Sequence, residues 1–153
     1  MADQNKIDKV AITIANQVES LQAEMVRDLL KLSKDKRFQS IEDFLFALEQ
    51  IDLEQVVRLK AQNIINGYTA AHTQILADMT LFADITESTL QSLTNFSTSS
   101  FADSLGRMSG VIKSEIVKGV LGEATDRGIL QAIQQQAGLS NAQMQTLVTT
   151  GLN

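Results

Sequence analysis

Ile7, Val18 and Leu29 stand eleven residues apart, and Val10, Ile14, Leu21, Met25 and Leu32 fill the intervals at steps of three and four. An eleven-residue repeat is about 3.67 residues per turn, so one seam keeps facing the same partner with little or right-handed supercoiling. The spacing predicts a single helix from Asp3 to Ser33, a rod of roughly 45 Å at 1.5 Å per residue. That is longer than a compact domain of 153 residues comfortably spans. Two readings of the seam follow. Either Ile7, Val10, Ile14, Val18, Leu21, Met25 and Leu29 bind another subunit or another protein, or the stripe lies on later helices of the same chain. Under the first reading Val18→Asp or Leu21→Asp abolishes assembly, because a lone carboxylate in an apolar seam costs several kcal/mol.

The rest of the composition agrees with an all-α chain. There is no proline, where average usage near 5% predicts roughly seven, and only 5% of residues are aromatic, which disfavours a sandwich or barrel. The 44% apolar content is ample for a core. The absence of cysteine excludes disulfides, thiolate metal sites and cysteine nucleophiles and suits a reducing compartment. The opening "MADQNKIDKVAITIANQ" lacks an apolar core of signal-peptide length, and no stretch approaches the roughly 18 apolar residues of a membrane span. The chain reads as soluble and not exported by a standard signal. A net charge of -5 opposes broad nucleic-acid affinity, which depends on neutralising phosphates.

After the first helix, "KLSKDKRF" breaks the periodicity and carries a cationic cluster: Arg27, Lys31, Lys34, Lys36 and Arg37. These are the residues placed to touch DNA or an acidic partner; the plainer reading is a solvated loop beside a helix C-terminus, where positive charge is favourable. Ser40 caps a second helix with Glu42 and Asp43 in its first turn, burying Ile41, Phe44, Leu45 and Leu48. Asp52 with Gln55 then opens a long run from Leu53 to Phe82, in which Gly67 marks a kink or a close crossing. His72 has no carboxylate or second histidine at ligand spacing, so it reads as a hydrogen-bonded helix residue and not as a metal ligand.

Asp84 and Glu87 signal the next start, and Leu90, Leu93, Phe96 or Ser97, Phe101, Leu105, Met108, Ile112 and Ile116 keep helical spacing through a stretch flanked by serine and threonine. Such flanks neither strengthen a helix nor carry charge, which suits a segment that is bent, packed on other chains, or ordered on assembly. "GRMSG" offers small residues four apart for close packing or a break. Seven of the eight glycines lie from Gly106 onward, predicting shorter helices there. The expected organisation is an elongated helical region over 1–116 and a short helical hairpin over 117–153. In that hairpin Thr125 caps one helix, Gly138 ends it, and Ser140 with Gln143 caps the other.

The order "VKGVLGEATDRGILQAIQQQAGLSNAQMQTLVTTGLN" in 117–153 resembles a motif of phage head morphogenesis proteins, the Mu F-like minor head family. In that family the second helix carries a threonine, two apolar residues, an arginine, a threonine and an acidic residue. Thr146, Leu147, Val148 and Thr150 match, while Thr149 stands for the arginine and Gly151 for the acidic residue, leaving the role of that charged pair open. The resemblance implies a minor structural protein of a virus head, located in the head interior or at the portal vertex, that assists head assembly, DNA packaging or DNA delivery. Its partner would be a portal or another head protein, with homo-oligomerisation possible through the first helix. It also implies that Asn153 ends a fragment, a processed chain, or a helix completed by another subunit. For 1–116 it implies nothing specific.

Three classes of function are thereby ordered. An enzyme needs a nucleophile, a paired acid and base, or a metal centre, and the sequence offers no such constellation and no cofactor motif. A nucleic-acid binder needs more than one basic cluster and a stacking surface. A helical assembly protein asks only for amphipathic helices. Within that class the rival to a virus head component is a cellular, cytoplasmic helical adaptor or chaperone-like protein that docks through the first helix.

Overall fold

A computed structural model describes residues 4–79, 86–122, 124–137 and 143. The described residues form six helices and no strand: α1 (Gln4–Ser33), α2 (Ile41–Gln50), α3 (Leu53–Lys60), α4 (Gln62–Met79), α5 (Glu87–Gly122) and α6 (Asp126–Ala137). The all-α class and the long first helix match the expectation from sequence. Apart from Gln143, the part of the predicted hairpin from Gly138 onward, with Ser140 and Thr146 to Gly151, lies outside the described residues, as does Asp84.

Local chemistry accounts for the helix ends. The hydroxyl of Ser33 donates to the Leu30 carbonyl at 2.6 Å, and the amides of Lys34 and Asp35 reach back three residues to Lys31 and Leu32. These tighten the last turn of α1 and use carbonyls that the helix leaves over. Ser40 accepts from the Asp43 amide, Asp52 from that of Gln55, and Thr125 from that of Gly128, at 3.1–3.2 Å. Each relieves one orphan donor of a first turn. Thr86 does the same for α5 through the Thr89 amide at 3.2 Å.

The chain divides into two compact units, each assembled from separated stretches. One takes α1 as far as Val18, α4, and α5 as far as Ser104. The other takes the remainder of α1, α2, α3, α5 from Leu105 on, and α6. The first unit encloses Ile7, Ala11, Ile14, Val18, Tyr68, Ile75, Leu76 and Phe101. The second encloses Leu21, Met25, Leu29, Phe44, Leu48, Val57, Leu105, Met108, Ile112, Ile116, Ile129 and Ile133. α5 runs without interruption through position 116, where the sequence suggested an organisational boundary.

Several local expectations need correction. The serine- and threonine-flanked stretch is unbroken: α5 is one helix of 36 residues passing through Gly106, Gly110 and Gly119. Three interior glycines cost about 1 kcal/mol each against alanine, and tertiary packing outweighs that. The run from Leu53 is interrupted at the buried Ala61 and not at Gly67, which is exposed with open space around it. Ile41 is exposed and Leu45 half-buried, so α2 buries only Phe44 and Leu48.

Candidate functional site

The seam of α1 was the first candidate surface. Ile7, Ile14, Val18, Leu21, Met25 and Leu29 are all buried within the chain itself, and Val10 is half-buried. Of the two readings of the eleven-residue repeat, the structure therefore takes the second: the seam is core, and as an exposed partner-binding face it is corrected. Polar contacts hold both ends. Lys6 pairs with Asp78 at 2.8 Å in the first unit. In the second, Lys60 reaches Glu24 at 3.1 Å and Asp28 at 3.9 Å. Val18→Asp would accordingly disrupt the fold before any assembly.

The cationic cluster is a turn organised by an acid. Asp35 accepts the Arg37 backbone amide at 2.9 Å and its guanidinium at 3.1 and 3.2 Å, contacts that hold the Asp35 carboxyl below its ordinary value. Arg37 also lies 5.9 Å from the ring centre of Phe38, and Arg27 pairs with its neighbour Asp28 at 3.4 Å. Two of the five cations are thus matched by acids beside them, while Lys31, Lys34 and Lys36 project from an exposed surface. This is the electrostatics of a solvated helix C-terminus, with three lysines as its accessible charge.

His72 is buried in the first unit, where α4 meets α5 through a ladder of hydroxyls. Tyr68 shares a 2.6 Å hydrogen bond with Ser97, Thr69 one of 3.0 Å with Thr98, and His72 Nδ1 lies 3.4 Å from the Thr94 hydroxyl. Tyr68 also stacks on Phe101, ring centres 4.4 Å apart and nearly parallel, with His72 stacked behind it at 6.1 Å. Burial raises the phenol of Tyr68, and the Ser97 bond partly offsets it. The threonines and serines that the sequence left as weak flanks are therefore the polar half of a helix–helix contact. Beside the ladder lies a groove of about 490 Å³ whose lining includes Thr73, Leu76, Glu87, Leu90 and Gln91.

The second unit has its own buried polar groups. Gln22 donates to the Met108 sulfur at 3.1 Å and the Ala137 carbonyl at 3.4 Å, and its Oε1 finds no hydrogen-bond donor among the described residues. Glu115 accepts from Gln136 at 2.6 Å and from Lys118 at 3.3 Å. The Gln136 bond, chiefly, holds its carboxyl below the ordinary value against the opposing effect of burial. Among the described residues no group of three or more histidines, cysteines or carboxylates is placed to hold a metal, and no helix is long and apolar enough to cross a membrane.

The described residues also present apolar surface. Ile12, Ile41, Phe46, Leu59, Phe96 and Leu121 stand exposed, with Phe46 at 67% and Leu121 at 60%. Phe46, Leu45 and Val117 line a shallow groove of about 400 Å³ rimmed by Glu42 and Glu49. Phe46 fell outside the buried face named from the sequence, Ile41, Phe44, Leu45 and Leu48, and was given no role there. The one available signal was angular, since Phe46 lies about 200° around the helix from Phe44 at 3.6 residues per turn. No family model, curated protein or solved structure matches the chain.

Proposed function

We propose that this protein is a non-enzymatic helical assembly component of a virus head, associated with the portal vertex and assisting head assembly, DNA packaging or DNA delivery. The observation that supports it is how the polar and apolar groups are divided. Buried polar side chains in each unit hold helix to helix, as Tyr68 does with Ser97 and Glu115 with Gln136, while large apolar side chains such as Phe46, Phe96 and Leu121 face outward. That division suits protein docking. The virus-head assignment itself rests on the resemblance of residues 117–153 to the minor head family.

The adaptor reading loses its argument from the first helix, because the surface it required is core. DNA contact, if any, falls to Lys31, Lys34 and Lys36, a small patch on a chain of net charge -5, and would be weak and salt-dependent. The test is the mass of the purified chain by light scattering over a range of concentrations. A portal-associated component is expected to form a discrete high-order oligomer, whereas a small closed dimer, the commonest cellular arrangement, would favour the adaptor.

A further inference from the structure

α2 is amphipathic on two sides. Its inner face carries Phe44 and Leu48, both buried. Its outer face reads Glu42, Leu45, Phe46, Glu49, the positions i, i+3, i+4 and i+7 that line up along one side of a helix. The solvent side of a ten-residue helix is ordinarily polar through its middle; here the middle is a leucine and a phenylalanine, and charge appears only at the two ends. α5 extends the apolar strip with Val117, which lines the groove with Leu45 and Phe46, and with Leu121, one turn further along and 60% exposed.

The charges choose the occupant. Glu42 and Glu49 are exposed, and neither forms an ion pair with a described residue. Their backbones are separated by about 10.5 Å along the helix axis, seven residues at 1.5 Å. Glu42 lies in the first turn of α2, where an acid favours the helix. Glu49 lies in the last turn, where an acid opposes the helix dipole, and Lys113 reaches instead toward the carbonyls of Glu49 and Ile51 at 3.5 and 3.4 Å. The stability of α2 therefore does not account for Glu49. Two free carboxylates bracketing an apolar strip repel nucleic acid and anionic lipid alike, and they match cations placed two turns apart.

We propose that the outer face of α2, with Val117 and Leu121 of α5, is the docking site for an amphipathic helix of a partner protein that carries lysine or arginine one heptad apart on either side of two apolar residues. The apolar pair fills the Leu45–Phe46–Val117 groove, and the cations meet Glu42 and Glu49, an example of helix-in-groove recognition. This deepens the assembly reading by giving the partner's chemistry, and it rests on that reading.

The probe is a fluorescein-labelled, alanine-based helical peptide of about 15 residues with two leucines between lysines one heptad apart; its twin carries glutamate in place of lysine. Binding to the full chain is followed by anisotropy. The expected result is that the lysine peptide binds at least about tenfold tighter than the glutamate peptide and loosens as salt is raised. Phe46→Ser and the pair Glu42→Lys with Glu49→Lys should each weaken it by about tenfold or more, with unchanged helical circular dichroism, since all three positions are exposed. Charge reversal should also turn the preference toward the glutamate peptide. Equal affinity for the two peptides, no binding of either, or binding that survives both variants overturns the proposal. A concentration-dependent oligomer abolished by Phe46→Ser, with no peptide binding, overturns it in favour of a second copy of this chain, and adsorption to phosphatidylserine vesicles overturns it in favour of a membrane. A ring-forming chain that ignores the peptide would refute this docking site and leave the assembly reading standing.

Discussion

Two alanine substitutions in one helix should move stability in opposite directions. Gly110 of α5 is exposed, and a Cβ there would meet nothing within 4 Å. Gly110→Ala therefore gains the helix-interior advantage of alanine, about 1 kcal/mol, worth a rise of about 2–4 °C in Tm for a chain of this size. Gly119 gains the same propensity term, but its Cβ would come 2.5 Å from Ile129 Cγ1 and nearer still to Cδ1, against ordinary carbon contacts of about 3.5–4.0 Å. Ile129 is buried, and as a β-branched residue within α6 it has one strongly favoured χ1 rotamer, so it cannot swing away without cost. Overpacking of about 1–3 kcal/mol against a gain of about 1 kcal/mol leaves Gly119→Ala neutral to about 2 kcal/mol destabilised. The two variants should thus differ by about 1–3 kcal/mol. Thermal and urea unfolding followed by far-ultraviolet circular dichroism measures both. The double variant Gly119→Ala, Ile129→Ala removes both clashing atoms, Cγ1 and Cδ1, and should be less destabilised than the sum of its parts. If Gly119→Ala raised Tm as much as Gly110→Ala, or if the double variant were simply additive, the close α5–α6 contact at Gly119 would be refuted.

Other outcomes follow from the polar groups and the core. Tyr68 is the only tyrosine, so the phenolate absorbance of the folded protein reports it alone. Its folded value lies above the ordinary 10.0 because of burial, so the stability it contributes is intact below pH 10 and is lost as pH rises through the folded value. The absorbance should appear later in the native chain than in urea. For Glu115 the sign is reversed: its folded value lies below the ordinary 4.5, so its contribution is present above that pH and is lost as pH falls through the folded value. Gln136→Leu should lower the urea midpoint near neutrality, with the deficit shrinking progressively on acidification below about pH 4; a deficit independent of pH would refute the role of that hydrogen bond. Val18→Asp buries a carboxylate among apolar side chains at a cost of several kcal/mol and should abolish the cooperative unfolding transition outright, a native-like melt being the contrary result.

The parts of this fold that were legible in the sequence are those decided within a few residues. Ser40, Asp52 and Thr125 cap their helices because a short side chain bonds an amide three positions on, and spacing alone reveals that. The apolar period of α1 was equally plain, but a period says that a seam is covered and not by what, which is why the same seven residues supported both an interface and a core. The serines and threonines of α5 looked like weak flanks because their value lies in partners on α4 about 22 to 29 positions away, Tyr68 with Ser97 and His72 with Thr94. Glycine misled for a related reason: Gly119 admits Ile129 and Gly106 lies under the side chains of Arg58 and Glu54, so both serve contacts and not turns. The outer face of α2 was overlooked because the period was used to find the buried side alone: Phe46 does not share the direction of Phe44 and Leu48 and stands exposed.

The long first helix also places a demand on the timing of synthesis. Gln22 bonds to Met108 and to the carbonyl of Ala137, 86 and 115 residues later. At about 5–20 residues per second, the ribosome needs about 6 to 23 s to add 115 residues. For about 4 to 17 s of that interval, the time to add the 86 residues up to Met108, Leu21 and Met25 wait for Met108, and they wait longer still for Ile133, both core residues of the same unit. The nascent chain must therefore carry an uncovered apolar stripe for seconds, long beyond the sub-millisecond time in which small chains collapse. Yield in the cell would then depend on whatever shields that stripe, and slowing translation before Met108 should increase aggregation more than slowing it after Ala137.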